Sequence, residues 1–144
     1  MSGMERKLWA VVKRGLSPHL NLRRFENSVD AGDPDVYFHD TRGRHGWIEL
    51  KAKAKPARDD TRVFGSRGLR DAQVSRILEL SRCKVPVFIL AQVSDHLFLL
   101  RGGHCAPFND CHIGQLGGLS DWQHQGAMRK EHWAELANKL VGGD

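Results

Sequence analysis

The chain has 144 residues, 40% hydrophobic and 27% charged, which suits one domain with a real buried core. Its formal net charge of +5 favours an anionic partner, nucleic acid first. Three cysteines argue against a disulfide framework, and no signal peptide or membrane-length apolar stretch is evident, so a reducing cytoplasm without a membrane partner is expected.

Residues 4–15 predict a helix, because Leu8, Val11 and Val12 recur at helical spacing among charges. Gly15 and Ser17-Pro18 end it. Residues 20–28 alternate loosely and could form a first strand. Asp30 to Pro34 is turn chemistry. Strands at about 35–39 and 46–52 follow, joined by Asp40-Thr41-Arg42-Gly43-Arg44. Residues 53–68 read as a basic loop that could touch phosphates or close over a site. Lys53, Arg58, Arg62 and Arg67 are its candidate DNA contacts.

A helix is predicted over 69–82, with Leu69, Ala72, Ile77 and Leu80 available for packing. Val85 to Val93 is a nearly continuous apolar run, as expected of a buried central strand. After a turn at Ser94-Asp95, residues 96–101 form the next strand. The chain past Gly102-Gly103 is less regular until a last helix at 130–141, with Trp133, Leu136, Ala137 and Leu140 on one face. The expected order is α-β-β-β-α-β-β-α. The whole chain, 1–144, reads as one domain with a core at about 4–101 and an extension at about 102–144.

Three polar residues stand inside the most strand-like segments. Asp35 opens the run that continues Val36-Tyr37-Phe38, and Glu49 and Lys51 lie in Gly46-Trp47-Ile48-Glu49-Leu50-Lys51. Residues two apart on a strand share a face, so Glu49 and Lys51 project together while Ile48 and Leu50 point into a core. If the two runs pair as a hairpin, Asp35 sits beside Glu49. Two carboxylates on one sheet face are costly to bury without compensation, and a hard divalent cation provides it.

Pro34-Asp35 followed 14 residues later by Glu49-Leu50-Lys51 resembles the PD-(D/E)xK nuclease superfamily. Gly32 before the first element, the apolar runs, and the helix carrying Gln73 are similar to its VRR-NUC and phage Holliday-junction-resolvase-like branches. The resemblance implies an α/β fold: a central mixed sheet flanked by helices, with a restriction-endonuclease-like α-β-β-β-α-β core and a C-terminal helical extension. It implies a Mg²⁺- or Mn²⁺-dependent endodeoxyribonuclease, structure-selective on branched DNA, acting as a homodimer in a bacterial or phage-infected cell.

By the same resemblance, Asp35, Glu49 and the Leu50 carbonyl are metal ligands, and Lys51 is the electrostatic group of the reaction. A third acid belongs on the first helix, where Glu5 matches, with Glu26 the competitor. Gln73 would bond the lysine, the water or a phosphate. The alternatives are a non-catalytic nucleic-acid-binding domain on the same scaffold and a nicking, single-site nuclease. His104-Cys105 and Cys111-His112 are zinc-ligand types at poor spacing, so structural zinc is not expected. Trp9, Trp47, Trp122 and Trp133 form no regular stacking ladder, and Trp47 is taken as structural.

Overall fold

The computed structural model describes residues 2–25 and 32–142. Helix α1 (Gly3–Leu16) opens with a capping box. The Glu5 N–H donates to Ser2 Oγ at 3.1 Å, and the Ser2 N–H donates to Glu5 Oε2 at 3.2 Å. Leu8, Val12 and Leu16 fall on one helix face and are buried. Val11, expected to pack with them, is turned outward.

Six strands form one sheet in sequence order: β1 (Asn21–Arg24), β2 (Val36–His39), β3 (His45–Lys53), β4 (Val87–Val93), β5 (His96–Arg101) and β6 (Trp122–Gln125). β3 and β4 are parallel and every other pair is antiparallel, so the sheet is mixed. Parallel neighbours need a crossover, and helix α2 (Asp71–Arg82) lies in it. The β2–β3 hairpin turns at Asp40, whose carboxylate accepts from the Arg42 and Arg44 N–H groups at 3.0 and 2.9 Å. Gly43, at φ +79°, supplies the left-handed residue of that turn.

The sheet divides the core in two. On one face Val36, Phe38, Ile48, Leu50, Phe88 and Leu90 pack with α1 and with Trp133, Leu136, Ala137 and Leu140 of helix α4 (Lys130–Leu140). On the other, Val87, Ile89, Ala91, Phe98 and Leu100 pack with Ile77 of α2, with Val63, Phe64 and Phe108, and with Leu116 of helix α3 (Ile113–Leu119). The architecture is therefore an α/β sandwich built on a mixed sheet. Its first six elements run α-β-β-β-α-β, the expected order.

The segment after residue 101 differs from expectation. It is not only helical: it adds α3 and also β6, a sixth strand pairing antiparallel with β5. β6 reads Trp-Gln-His-Gln, too short and polar to announce a strand, and its burial alternates as an edge strand's does. α3 contains three glycines in seven residues, which hides its helical character. The basic loop is also better anchored than its composition suggests. Val63 and Phe64 are buried, and the Val63 N–H donates to the Cys111 carbonyl at 3.0 Å. Among the described residues no helix is long and apolar enough to cross a membrane.

Candidate active site

The β2–β3 register pairs Val36 with Ile48. The residue before Val36 and the one after Ile48 are Asp35 and Glu49, so the hairpin places them side by side on one face. β2 begins just past Asp35, and the freed Leu50 N–H donates to Asp35 Oδ2 at 3.1 Å. On the other side the Phe25 N–H donates to the Asp35 carbonyl at 2.8 Å. Asp35 is thus held by both neighbouring strands.

The turn before it is held by α2. A Cβ on Gly32 would stand 2.7 Å from the Ala72 carbonyl oxygen, so glycine lets the turn touch the helix. Arg76 Nε donates to Asp33 Oδ1 at 3.0 Å, a second tie between the same pieces.

Glu49 is 2% exposed and Lys51 8% exposed, both beneath the first turn of α2. Gln73, also buried, bridges them. Its Nε2 donates to Glu49 Oε2 at 3.2 Å, and its Oε1 accepts from Lys51 Nζ at 3.4 Å. The same Oε1 accepts from the Arg70 N–H at 2.9 Å, which fixes the amide at the start of α2. Lys51 Nζ lies 3.9 Å from Glu49 Oε2.

Glu49 Oε1 is buried without a hydrogen-bond donor. The Asp35 carboxylate is within hydrogen-bonding reach of Glu49 but brings no proton when both are ionised. Burial pushes the Glu49 carboxyl well above its ordinary range. The Asp35 charge adds to this, Lys51 opposes it, and contact with Asp35 and the Glu5 charge raise it further.

Among the described residues no three or more His, Cys, Asp and Glu side chains form a group able to hold a metal ion. Magnesium is commonly held through one or two carboxylates and keeps several waters, so Asp35 and Glu49 suffice for it. The donorless Glu49 Oε1 beside a second acid is the feature a cation would satisfy.

Glu5 is half-buried, is used in the α1 cap, and lies close enough for its charge to act on Glu49. Glu26 lies outside the described residues. Lys53 ends β3 on the Glu49–Lys51 face and is half-buried. Arg58 and Arg62 are exposed and paired with Asp60 at 3.1 Å and Asp110 at 3.4 Å, while Arg67 is exposed in a 3-10 turn.

Cys105 and Cys111 are buried in the core and burial raises both thiols; His104 is exposed, and His112 caps α3 by accepting from the Gln115 N–H at 3.3 Å. A cleft of about 1060 Å³ lies elsewhere, between α1, α4 and the β4–β5 turn, and contains neither Asp35 nor Glu49.

The sequence reading missed an aromatic group on the same sheet face. Tyr37 sits edge-on to Trp47 with centroids 5.3 Å apart, and Phe25 lies 5.8 Å from Trp47. The available signal was spacing: Tyr37 and Trp47 are each two residues from an acid of the pair.

No protein-family model and no curated protein matches the chain. Among solved structures it is similar to Hjc, a Holliday junction resolvase from the archaeal hyperthermophile Archaeoglobus fulgidus. The two are 13% identical, over 70% of this chain and 76% of that one, with a TM-score of 0.46.

Proposed function

We propose that the chain is a Mg²⁺- or Mn²⁺-dependent endodeoxyribonuclease of the PD-(D/E)xK kind. The observation that carries this reading is the buried Glu49 carboxylate beside that of Asp35: its Oε1 has no donor, and the Lys51 ammonium stands 3.9 Å from its Oε2. An apolar or amide pair would serve stability better at that position, because a buried unpaired carboxylate oxygen is costly.

Asp35 and Glu49 would hold the cation. The N–H and C=O of one strand residue leave on the same side, so the Leu50 carbonyl, on the side where its N–H meets Asp35, would be available to join them. Bound there, a divalent ion would supply a water of lowered pKa and offset charge on the phosphate. Lys51 supplies a fixed positive charge for the phosphate oxygens in the transition state. Gln73 positions Lys51 and Glu49 relative to each other. Glu5 adds negative charge at the edge of the site. Lys53, Arg58, Arg62 and Arg67 would contact the DNA backbone, the paired arginines by exchanging a weak surface partner for a phosphate. Branched DNA as substrate, and a homodimer formed on it, are implied by the motif resemblance.

The test is cleavage of labelled duplex, single-stranded, flap and four-way DNA with Mg²⁺, with Mn²⁺ and with chelator. We expect metal-dependent cuts, and losses of roughly a hundredfold or more for Asp35→Asn, Glu49→Gln and Lys51→Ala, the scale of one lost transition-state contact. Near-wild-type rates for any one variant would remove that residue from the site. DNA binding without cleavage of any substrate would favour the non-catalytic binding domain.

A further inference from the structure

The sheet face that carries Asp35 and Glu49 continues into a patch that no described residue covers. Register aligns Arg23, Tyr37 and Trp47 in one row across β1, β2 and β3, and Asn21, His39 and His45 in the next. The row on the other side is Phe25, Asp35 and Glu49, by the Phe25–Asp35 bond and the Val36–Ile48 pairing. Helices α2 and α3 pack over β4 and β5 on this face, and α1 and α4 pack on the opposite face. Among the described residues this leaves Tyr37 and Trp47 half-buried and Phe25, His39, His45 and Arg23 exposed.

The rings form one connected group. Besides the Trp47 contacts, Tyr37 lies 5.6 Å from His39 and 6.3 Å from His45, and the Arg23 guanidinium stands 5.1 Å from the Phe25 centroid. Such a patch is ill suited to water but well suited to flat, π-faced ligands. The acids in these three rows are Asp35 and Glu49, while Arg23 adds a positive charge. Flat faces beside a cation match a nucleotide chain: bases on the rings, a phosphate on the guanidinium. The Trp47 row adjoins the acid row, one side-chain repeat of about 6.6–6.8 Å away.

We propose that this face is a stacking platform for unpaired nucleobases, which holds a single-stranded stretch of DNA beside the Asp35–Glu49 pair. It rests on the nuclease reading for the cleavage step after binding, and names the substrate class: DNA with unpaired nucleotides at or next to the cut. Bases inside a duplex already stack on both faces and have none to offer. Flaps, gaps and frayed branch points therefore bind more tightly than fully paired DNA.

The experiment measures affinity of the full chain in chelator, so that no cutting occurs, for a labelled oligothymidine, a flap and a blunt duplex. Wild type should prefer the first two. Tyr37→Ala and Phe25→Ala should each weaken oligothymidine binding by roughly five- to a hundredfold, the cost of a lost base–aromatic stack. Tyr37→Phe should bind within about twofold of wild type, since the ring is what stacks. The salt dependence should keep its slope in all three, because no phosphate contact is removed.

Unchanged oligothymidine affinity in both alanine variants overturns the platform, as does equal binding of oligothymidine and blunt duplex by wild type. Loss of self-association in these variants with unchanged affinity also overturns it and assigns the face to a second copy. Ring-dependent binding without cleavage of any substrate upholds the platform and sinks the nuclease reading instead.

Discussion

Glu49 is the residue on which stability and the proposed chemistry pull in opposite directions. Its carboxyl is raised above the ordinary value near 4.5 first by burial, then by the charge of Asp35, with Lys51 opposing. An acid whose folded pKa exceeds its unfolded one holds its proton more tightly in the native state. Its contribution is therefore most favourable below the unfolded value, and stability falls as pH rises from about 4.5 toward the raised pKa. Glu49→Gln removes this loss and keeps a polar partner for Gln73. Without divalent metal, we expect the variant to melt a few degrees above wild type at neutral pH, with the gap closing on acidification. Mg²⁺ or Mn²⁺ should raise the wild-type melting temperature by mass action and leave the variant's nearly unmoved. A gap that ignores both pH and metal in calorimetry would show that Glu49 is not a strained, cation-seeking acid. Alternation made the shared face of Glu49 and Lys51 legible in the sequence, and pairing of the two apolar runs as a hairpin brought Asp35 beside them. The Gln73 bridge was not legible, because it depends on where α2 crosses the sheet, and the Tyr37–Trp47 pair escaped because counting tryptophans ignores register.

At the scale of elements, the site is a junction between the hairpin and the first turn of α2. Gly32 against Ala72 and Asp33 against Arg76 set the distance between them. Gly32→Ala would force a Cβ against a backbone oxygen at 2.7 Å, which only movement of the turn or the helix relieves. Overpacking of this kind costs about 1–3 kcal/mol. The variant should stay folded yet lose tenfold or more in cleavage, because Asp35 shifts relative to Glu49 and Gln73. Full cleavage with a wild-type melting temperature would show that the contact does not position the acid. The periodic α1, β3 and α4 and the apolar run of β4 were readable to within a few residues. So was α2, whose start is set by a partner: it begins at Asp71, where Gln73 accepts from the Arg70 N–H, and leaves the apolar Leu69 in the preceding loop. β6 exists because β5 offers it an edge, which no local pattern in Trp122–Gln125 encodes.

At the scale of the whole molecule, the terminal helices decide how assembly should be viewed. Leu8 and Val12 of α1 and Trp133 and Leu140 of α4, which read as spare apolar surface in the sequence, all belong to one core cluster over the sheet. They pack α1 and α4 together on one face of the sheet. Among the described residues the exposed large apolar side chains are Met4, Val11 and Phe25, too few for the roughly 1,200–2,000 Å² that a stable specific interface buries. In the nuclease reading, paired cuts on opposing strands would need two sites, and a formal charge of +5 favours DNA, not protein, as the surface on which two copies would meet. We therefore expect sedimentation at micromolar concentration to give a mass near 16.2 kDa for the free chain. On a four-way or flap substrate without divalent metal, two chains should load per DNA at moderate salt, and both should release as salt rises, because phosphate contacts carry the binding. Loading of one chain per branched substrate at saturation would sink the paired-cut form of the nuclease reading and make a single-site nicking enzyme the better account.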